Sequence, residues 1–115
     1  MSEQRKTGRP GPLVHAPRAN RRRVLLTAAT MPPMGTTALH YGDLRPPMGL
    51  GFIASFLERH GHEVRICDNY LAPLPMESEI EEFRPDIIGL YMHSPGYYSA
   101  CDLIDELKQI APEVP

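Results

Sequence analysis

The sequence predicts an α/β fold of Rossmann-like type, in which a parallel sheet is flanked by helices. Three observations carry that expectation. Short apolar runs at residues 24–29, 62–68 and 86–92 are each followed by a segment whose apolar residues recur at helical spacing. Glycine and proline punctuate the borders of these units, at Pro47, Gly61, Pro85 and Pro112. The chain's 115 residues, 42% hydrophobic and 23% charged, suit one soluble domain with one core.

Residues 1–22 read as a disordered basic leader, and residues 23–115 as the domain. Residues 24–29 (VLLTAA) are too short and too uniformly apolar for an amphipathic helix and read as a buried first strand. Residues 31–47 carry Pro32, Pro33, Pro46, Pro47, Gly35 and Gly42, a composition that supports neither helix nor strand. So long a loop in a compact domain is usually functional.

Pro47 opens a helix whose apolar face is Leu50, Ile53, Ala54 and Leu57, at i, i+3, i+4 and i+7, and Gly61 ends it. The second strand, residues 62–68, puts Val64 and Ile66 on one face. A short acidic helix near residues 77–83 stops at Arg84-Pro85, and residues 86–92 form the third strand. The third helix, residues 97–110, aligns Ala100, Leu103, Ile104, Leu107 and Ile110, with Asp105, Glu106 and Lys108 in water. Strand followed by helix three times over predicts right-handed crossovers and helices on both sheet faces, in three layers. Such a sheet keeps an open edge, so a further strand is expected beyond residue 115 and the domain is expected to be partial, truncated after its third strand–helix unit.

Charge is uneven. Residues 1–23 hold seven of the twelve Lys/Arg and one of the fourteen acidic residues. The basic segment lacks interleaved aromatics and amphipathic period, so neither nucleic acid nor membrane is an expected partner. No run approaches the ~18 apolar residues of a membrane span and no signal-peptide core is present, which makes a cytoplasmic location the expectation. Cys67 and Cys101 form no C-x-x-C pair and read as buried or semi-buried thiols.

In open parallel sheets ligands bind beyond the carboxyl ends of the strands. That gathers the loop after the first strand, Asp68-Asn69 after the second, and residues 91–98 after the third. Gly49-Leu50-Gly51-Phe52-Ile53-Ala54 matches G-x-G-x-x-A, with Asp68 nineteen positions after Gly49. A dinucleotide site needs those glycines in the turn directly after the first strand. Here about twenty residues intervene, so Gly49 and Gly51 read as sites of close helix–sheet packing. His40 has the chemistry to ligate a metal or bond a cofactor, and His93 and Ser94 follow the third strand directly. His60 and His62 flank Gly61 near the opposite end. No catalytic constellation and no metal-ligand set emerges: there is no G-x-S-x-G, Walker loop or H-E-x-x-H.

Three segments taken together resemble a known family. They are Arg45-Pro46-Pro47-Met48-Gly49-Leu50-Gly51-Phe52-Ile53-Ala54, then Gly61-His62-Glu63-Val64, then Arg84-Pro85-Asp86-Ile87-Ile88-Gly89-Leu90. With the ending from Leu107-Lys108 to Pro112, they resemble the N-terminal cobalamin-binding domain of cobalamin-dependent radical S-adenosylmethionine enzymes, over residues 23–115. The resemblance implies a flavodoxin-like sheet with the corrin across the carboxyl ends of the strands. Thr30, Met31, His40, Tyr91, His93 and Ser94 would line the corrin, and Asp68 and Asn69 its rim. It also implies a longer parent chain whose C-terminal radical domain binds a [4Fe–4S] cluster through C-x-x-x-C-x-x-C and uses S-adenosylmethionine, for methyl transfer or related radical chemistry. The D-x-H-x-x-G motif of the wider cobalamin family is missing, and its S-x-L element is replaced by Tyr91-Met92-His93. Two other readings stay open: the N-terminal domain of a nucleotide-sugar glycosyltransferase, on Gly61-His62-Glu63-Val64, and a degenerate interaction module that binds nothing.

Overall fold

The computed structural model describes residues 20–29, 48–69, 74–92 and 96–115. The basic leader, as far as residue 19, and the whole of the long proline-rich loop, residues 31–47, lie outside the described residues. Strands β1 (Arg23–Ala28), β2 (Glu63–Cys67) and β3 (Ile87–Tyr91) form one parallel sheet in the order β2-β1-β3. Helices α1 (Met48–Arg59), α2 (Met76–Phe83) and α3 (Tyr97–Ile110) alternate with them along the chain. Each expected element is present, with borders within a residue or two of the expectation.

The register explains the layering. Leu26 lies beside Ile66 on β2 and Gly89 on β3, whereas Leu25 lies beside Arg65 and Ile88. Side chains alternate along a strand, so one sheet face carries Val24, Leu26 and Ala28 and the other Leu25 and Thr27. The first face packs against Leu50 and Ala54 of α1, with Val64 and Leu57 alongside. The second packs against Met76, Ile80 and Phe83 of α2 and Leu103 and Leu107 of α3. Buried on both faces, β1 must be apolar throughout, which is why its run does not alternate. Right-handed crossovers dictate this split: the chain moves to one side of β1 to form β2 and returns past it to form β3, so α1 and α2 fall on opposite faces.

The helix ends follow local chemistry. Gly61, at φ 87°, takes the left-handed conformation that closes α1. Arg84 takes the same conformation at φ 51° after α2, its N–H donating to Ile80 O at 2.7 Å, and Pro85 prevents continuation. Asp86 then joins β3 to β1: its N–H donates to Arg23 O at 2.8 Å, and its Oδ2 accepts from Arg23 N–H at 2.8 Å. Nearby, the Arg23 and Arg65 guanidinium carbons lie 4.8 and 5.0 Å from the Phe83 ring centroid. Arg65 bonds Glu79 and Glu82, each at 3.3 Å, and those carboxylates, Glu82 first, raise its pKa above the usual arginine value.

Two expectations are corrected. Gly49 and Gly51 do not mediate close helix–sheet packing, because a Cβ at either would meet nothing within 4 Å. The glycine that does face a tight contact is Gly89, where a Cβ would lie 2.8 Å from Leu26 Cδ2. Ile53, Ile66 and Ile104 belong to the expected apolar faces, yet all three are exposed. Helix α1 lies over β1 and β2 and buries only the centre of its stripe, leaving Met48, Phe52, Ile53 and Phe56 in solvent. At the outer edge of β3, Ile88 N–H donates to Pro115 O at 2.9 Å.

Candidate cofactor site

A crevice follows from the topology alone. Beyond its carboxyl end β1 leads to α1 on one face, and β3 leads to α3 on the other. Connections that diverge in this way open a gap above the two strands, at the point where strand order reverses. Pairing continues up to that gap, with Ala29 N–H donating to Tyr91 O at 3.4 Å. Its described floor is made of the small Ala28 and Ala29 and of Tyr91 and Met92, which are 38% and 46% exposed. Tyr91 pairs with Ala28 and so lies on the α1 side of the sheet, and Met92 follows it directly, so the end of β3 presents exposed apolar surface beside the gap.

The side of the crevice nearest β2 is held by buried hydrogen bonds. The Thr27 hydroxyl donates to Cys67 O at 2.9 Å and accepts from Asn69 Nδ2 at 3.3 Å. Asn69 Oδ1 accepts from Leu74 N–H at 2.6 Å, and its amide nitrogen also lies 3.3 Å from Met76 Sδ. Asp68, between Cys67 and Asn69, is exposed. Beneath it the Cys67 thiol donates to Glu79 Oε2 at 3.6 Å. Burial, with the Glu79 charge beside it, pushes that thiol up to about 11, so it stays protonated and is a packing group.

A cleft of about 210 Å³ opens between Asn69, Leu74 and Met76 on one side and Ser99, Asp102 and Glu106 of α3 on the other. It is smaller than the ~300 Å³ at which sites for drug-sized ligands begin, so it cannot enclose a corrin-sized cofactor. The gap above β1 and β3 is the remaining candidate, on the ground of topology.

Of the residues the sequence nominated, Asp68, Asn69 and Tyr91 border this end of the sheet. Thr30, Met31, His40, His93 and Ser94 lie outside the described residues. His60 and His62 sit at the amino end, as expected. His60 Nδ1 is 2.8 Å from Phe56 O and its ring stacks on Phe56, while His62 Nδ1 accepts from Arg22 N–H at 3.1 Å. Sequence reasoning passed over Thr27. The one available signal was a hydroxyl inside an otherwise apolar run.

Cobalamin fits what is present. The corrin is broad, with apolar faces and amide-bearing edges, and asks for apolar surface with polar groups at its border; Tyr91 and Met92 are exposed apolar groups at the end of β3, and Asp68 is an exposed polar group at the end of β2. It carries its own cobalt, so the protein need not assemble a metal-ligand set, and no group of three His, Cys, Asp or Glu side chains among the described residues forms one. No helix among the described residues is long and apolar enough to cross a membrane.

Sheet order, helix placement and crevice define a flavodoxin-like cofactor-binding domain. The B12 binding domain family matches residues 35–115, and the chain belongs to that family. Family membership supports cobalamin as its ligand. Comparison with curated proteins and with solved structures gave no match.

Proposed function

We propose that residues 23–115 are the cobalamin-binding module of a cobalamin-dependent radical S-adenosylmethionine enzyme. The observation that carries the proposal is a coincidence: the B12 binding domain match spans residues 35–115, and within it fall the three segments that resemble the radical-enzyme subgroup. Bound cobalamin supplies group-transfer chemistry at its cobalt, for methyl transfer or a related radical reaction.

The chain's own work in this reading is to bind, orient and shield. Tyr91 and Met92 support the corrin, and Ala28 and Ala29 keep the strand end low enough for it to approach. Asp68 and Asn69 border it, and Thr30, Met31, His40, His93 and Ser94 contact it from the loops after β1 and β3. A C-terminal radical domain with a [4Fe–4S] cluster and S-adenosylmethionine completes the enzyme. The proposed location is the cytoplasm, where reducing conditions suit both cofactors.

The test has two arms. The full chain is incubated anaerobically with hydroxocobalamin, desalted, and its ultraviolet–visible spectrum recorded. Retained corrin bands, weakened by His93→Ala, support the module; a colourless protein overturns it. Reading the coding sequence downstream of the Pro115 codon tests the radical context. A C-x-x-x-C-x-x-C motif supports it, and an immediate stop codon overturns it.

A further inference from the structure

We infer that Asn69 is a positioning residue for the cofactor: together with Thr27 it fixes the crevice rim from inside the protein. The inference rests on the cobalamin reading above. Among the described residues Thr27 and Asn69, at 0% and 3% exposure, are the buried polar side chains. They bond each other, and both stand at the carboxyl end of the sheet, beside the crevice.

All their donors are used internally: the Thr27 hydroxyl gives to Cys67 O and the Asn69 amide nitrogen to Thr27 Oγ1 and Met76 Sδ. Thr27 holds the last carbonyl of β2 through Cys67 O, and Asn69 holds the Leu74 N–H ahead of α2. The 3.3 Å bond from Asn69 Nδ2 to Thr27 Oγ1 links the two holds into one clasp joining β1, the end of β2 and the approach to α2. Asn69 could donate to a corrin amide only by surrendering one of these bonds, an unpaired buried polar group is costly, and at 3% exposure the residue offers a ligand almost no surface. It therefore acts through the backbone it positions. Asp68, exposed at the rim, has a clasped residue on each side.

A buried polar pair among Leu25, Cys67 and Met76 does not serve stability best, since apolar residues of the same shape stabilise a core about as well or better. What the pair supplies is one defined geometry, because satisfied buried networks specify a unique arrangement. A rim held in its binding conformation before the ligand arrives loses less entropy on binding.

The test is a hydroxocobalamin titration of the full chain, with circular dichroism of the bound corrin, for wild type, Thr27→Val, Thr27→Ser, Asn69→Ala and the Thr27→Val/Asn69→Ala pair. Leu107→Ala, in the same apolar cluster, serves as a variant that weakens only the core. All are measured where urea curves show the protein folded. Thr27→Val and Asn69→Ala are each expected to weaken binding roughly tenfold and alter the corrin dichroism, although Thr27 is fully buried. The pair is expected to be no worse than the worse single variant, since one clasp is broken once. Thr27→Ser, which keeps the hydroxyl, and Leu107→Ala are expected to match wild type. Should Thr27→Val not fold, Asn69→Ala against Leu107→Ala decides the matter. Unchanged affinity in Asn69→Ala, independent additive losses, or an equal loss in Leu107→Ala overturns the inference while the cobalamin reading stands. Failure of the wild type to bind overturns both.

Discussion

Replacing Gly89 by alanine is a measured test of how closely β1 and β3 pack. A Cβ at position 89 would lie 2.8 Å from Leu26 Cδ2, well inside the roughly 3.5–4.0 Å of a favourable carbon–carbon contact. Leu26 is buried beside Leu50 and Ala54, so its methyl has little room to retreat. Overpacking of this kind costs about 1–3 kcal/mol. Alanine also restricts the unfolded chain, which offsets about 0.4–1 kcal/mol. The net expectation is a destabilisation of about 1 kcal/mol, read as a lower urea midpoint with an unchanged slope. Leu26→Val removes the offending Cδ. On its own it costs about 1 kcal/mol for the methylene it deletes. Combined with Gly89→Ala it should cost about 1 kcal/mol less than the two single losses together. A Gly89→Ala protein as stable as wild type, or strict additivity in the double variant, would refute the contact as the reason for glycine.

Asp86→Ala removes the carboxylate that accepts from Arg23 N–H, and should lower stability by about 1 kcal/mol in urea denaturation without changing cobalamin affinity. Cys67 gives a pH dependence. Its folded-state pKa is raised from 9.0 to about 11, so the folded protein holds this proton more tightly than the unfolded chain does, and stability falls as pH climbs through that window. Cys67→Ala should remove a loss on the order of 1 kcal/mol by about pH 10, measured as the difference between urea midpoints there and near pH 8. Phe52→Ser and Phe56→Ser should each change stability by less than about 0.5 kcal/mol, since both rings stand in solvent on α1.

The elements were legible because each kind has its own period and its own stops. Leu50, Ala54 and Leu57 mark a helix face wherever the helix sits, and Gly61 and Pro85 can occupy few positions other than the ends they occupy. What periodicity does not encode is how far a helix overlaps the sheet. Ile53 and Ile104 satisfy the same spacing as their buried neighbours and are exposed because they overhang it. Gly49 and Gly51 misled for a related reason: a small residue on a helix signals close approach only if something approaches.

The candidate site divides along the same line. Its position at the β1/β3 crevice follows from strand order, which the sequence implied. The part played by Asn69 did not follow, since an asparagine after a strand looks the same whether it faces a ligand or turns inward to Thr27 and Leu74. For Thr30, Met31, His40, His93 and Ser94, loop composition implies proximity to a ligand but has no period that assigns a contact to any one of them.

Binding of cobalamin over the carboxyl ends of β1 and β3 can be read by amide hydrogen exchange of the full chain with and without hydroxocobalamin. The prediction is slower exchange in peptides that contain Ala29 and in peptides that run from Tyr91 into α3, with unchanged exchange around Arg22, His62 and Asp86 at the amino end. Protection confined to the amino end, or no change anywhere in the presence of excess hydroxocobalamin, would contradict binding there.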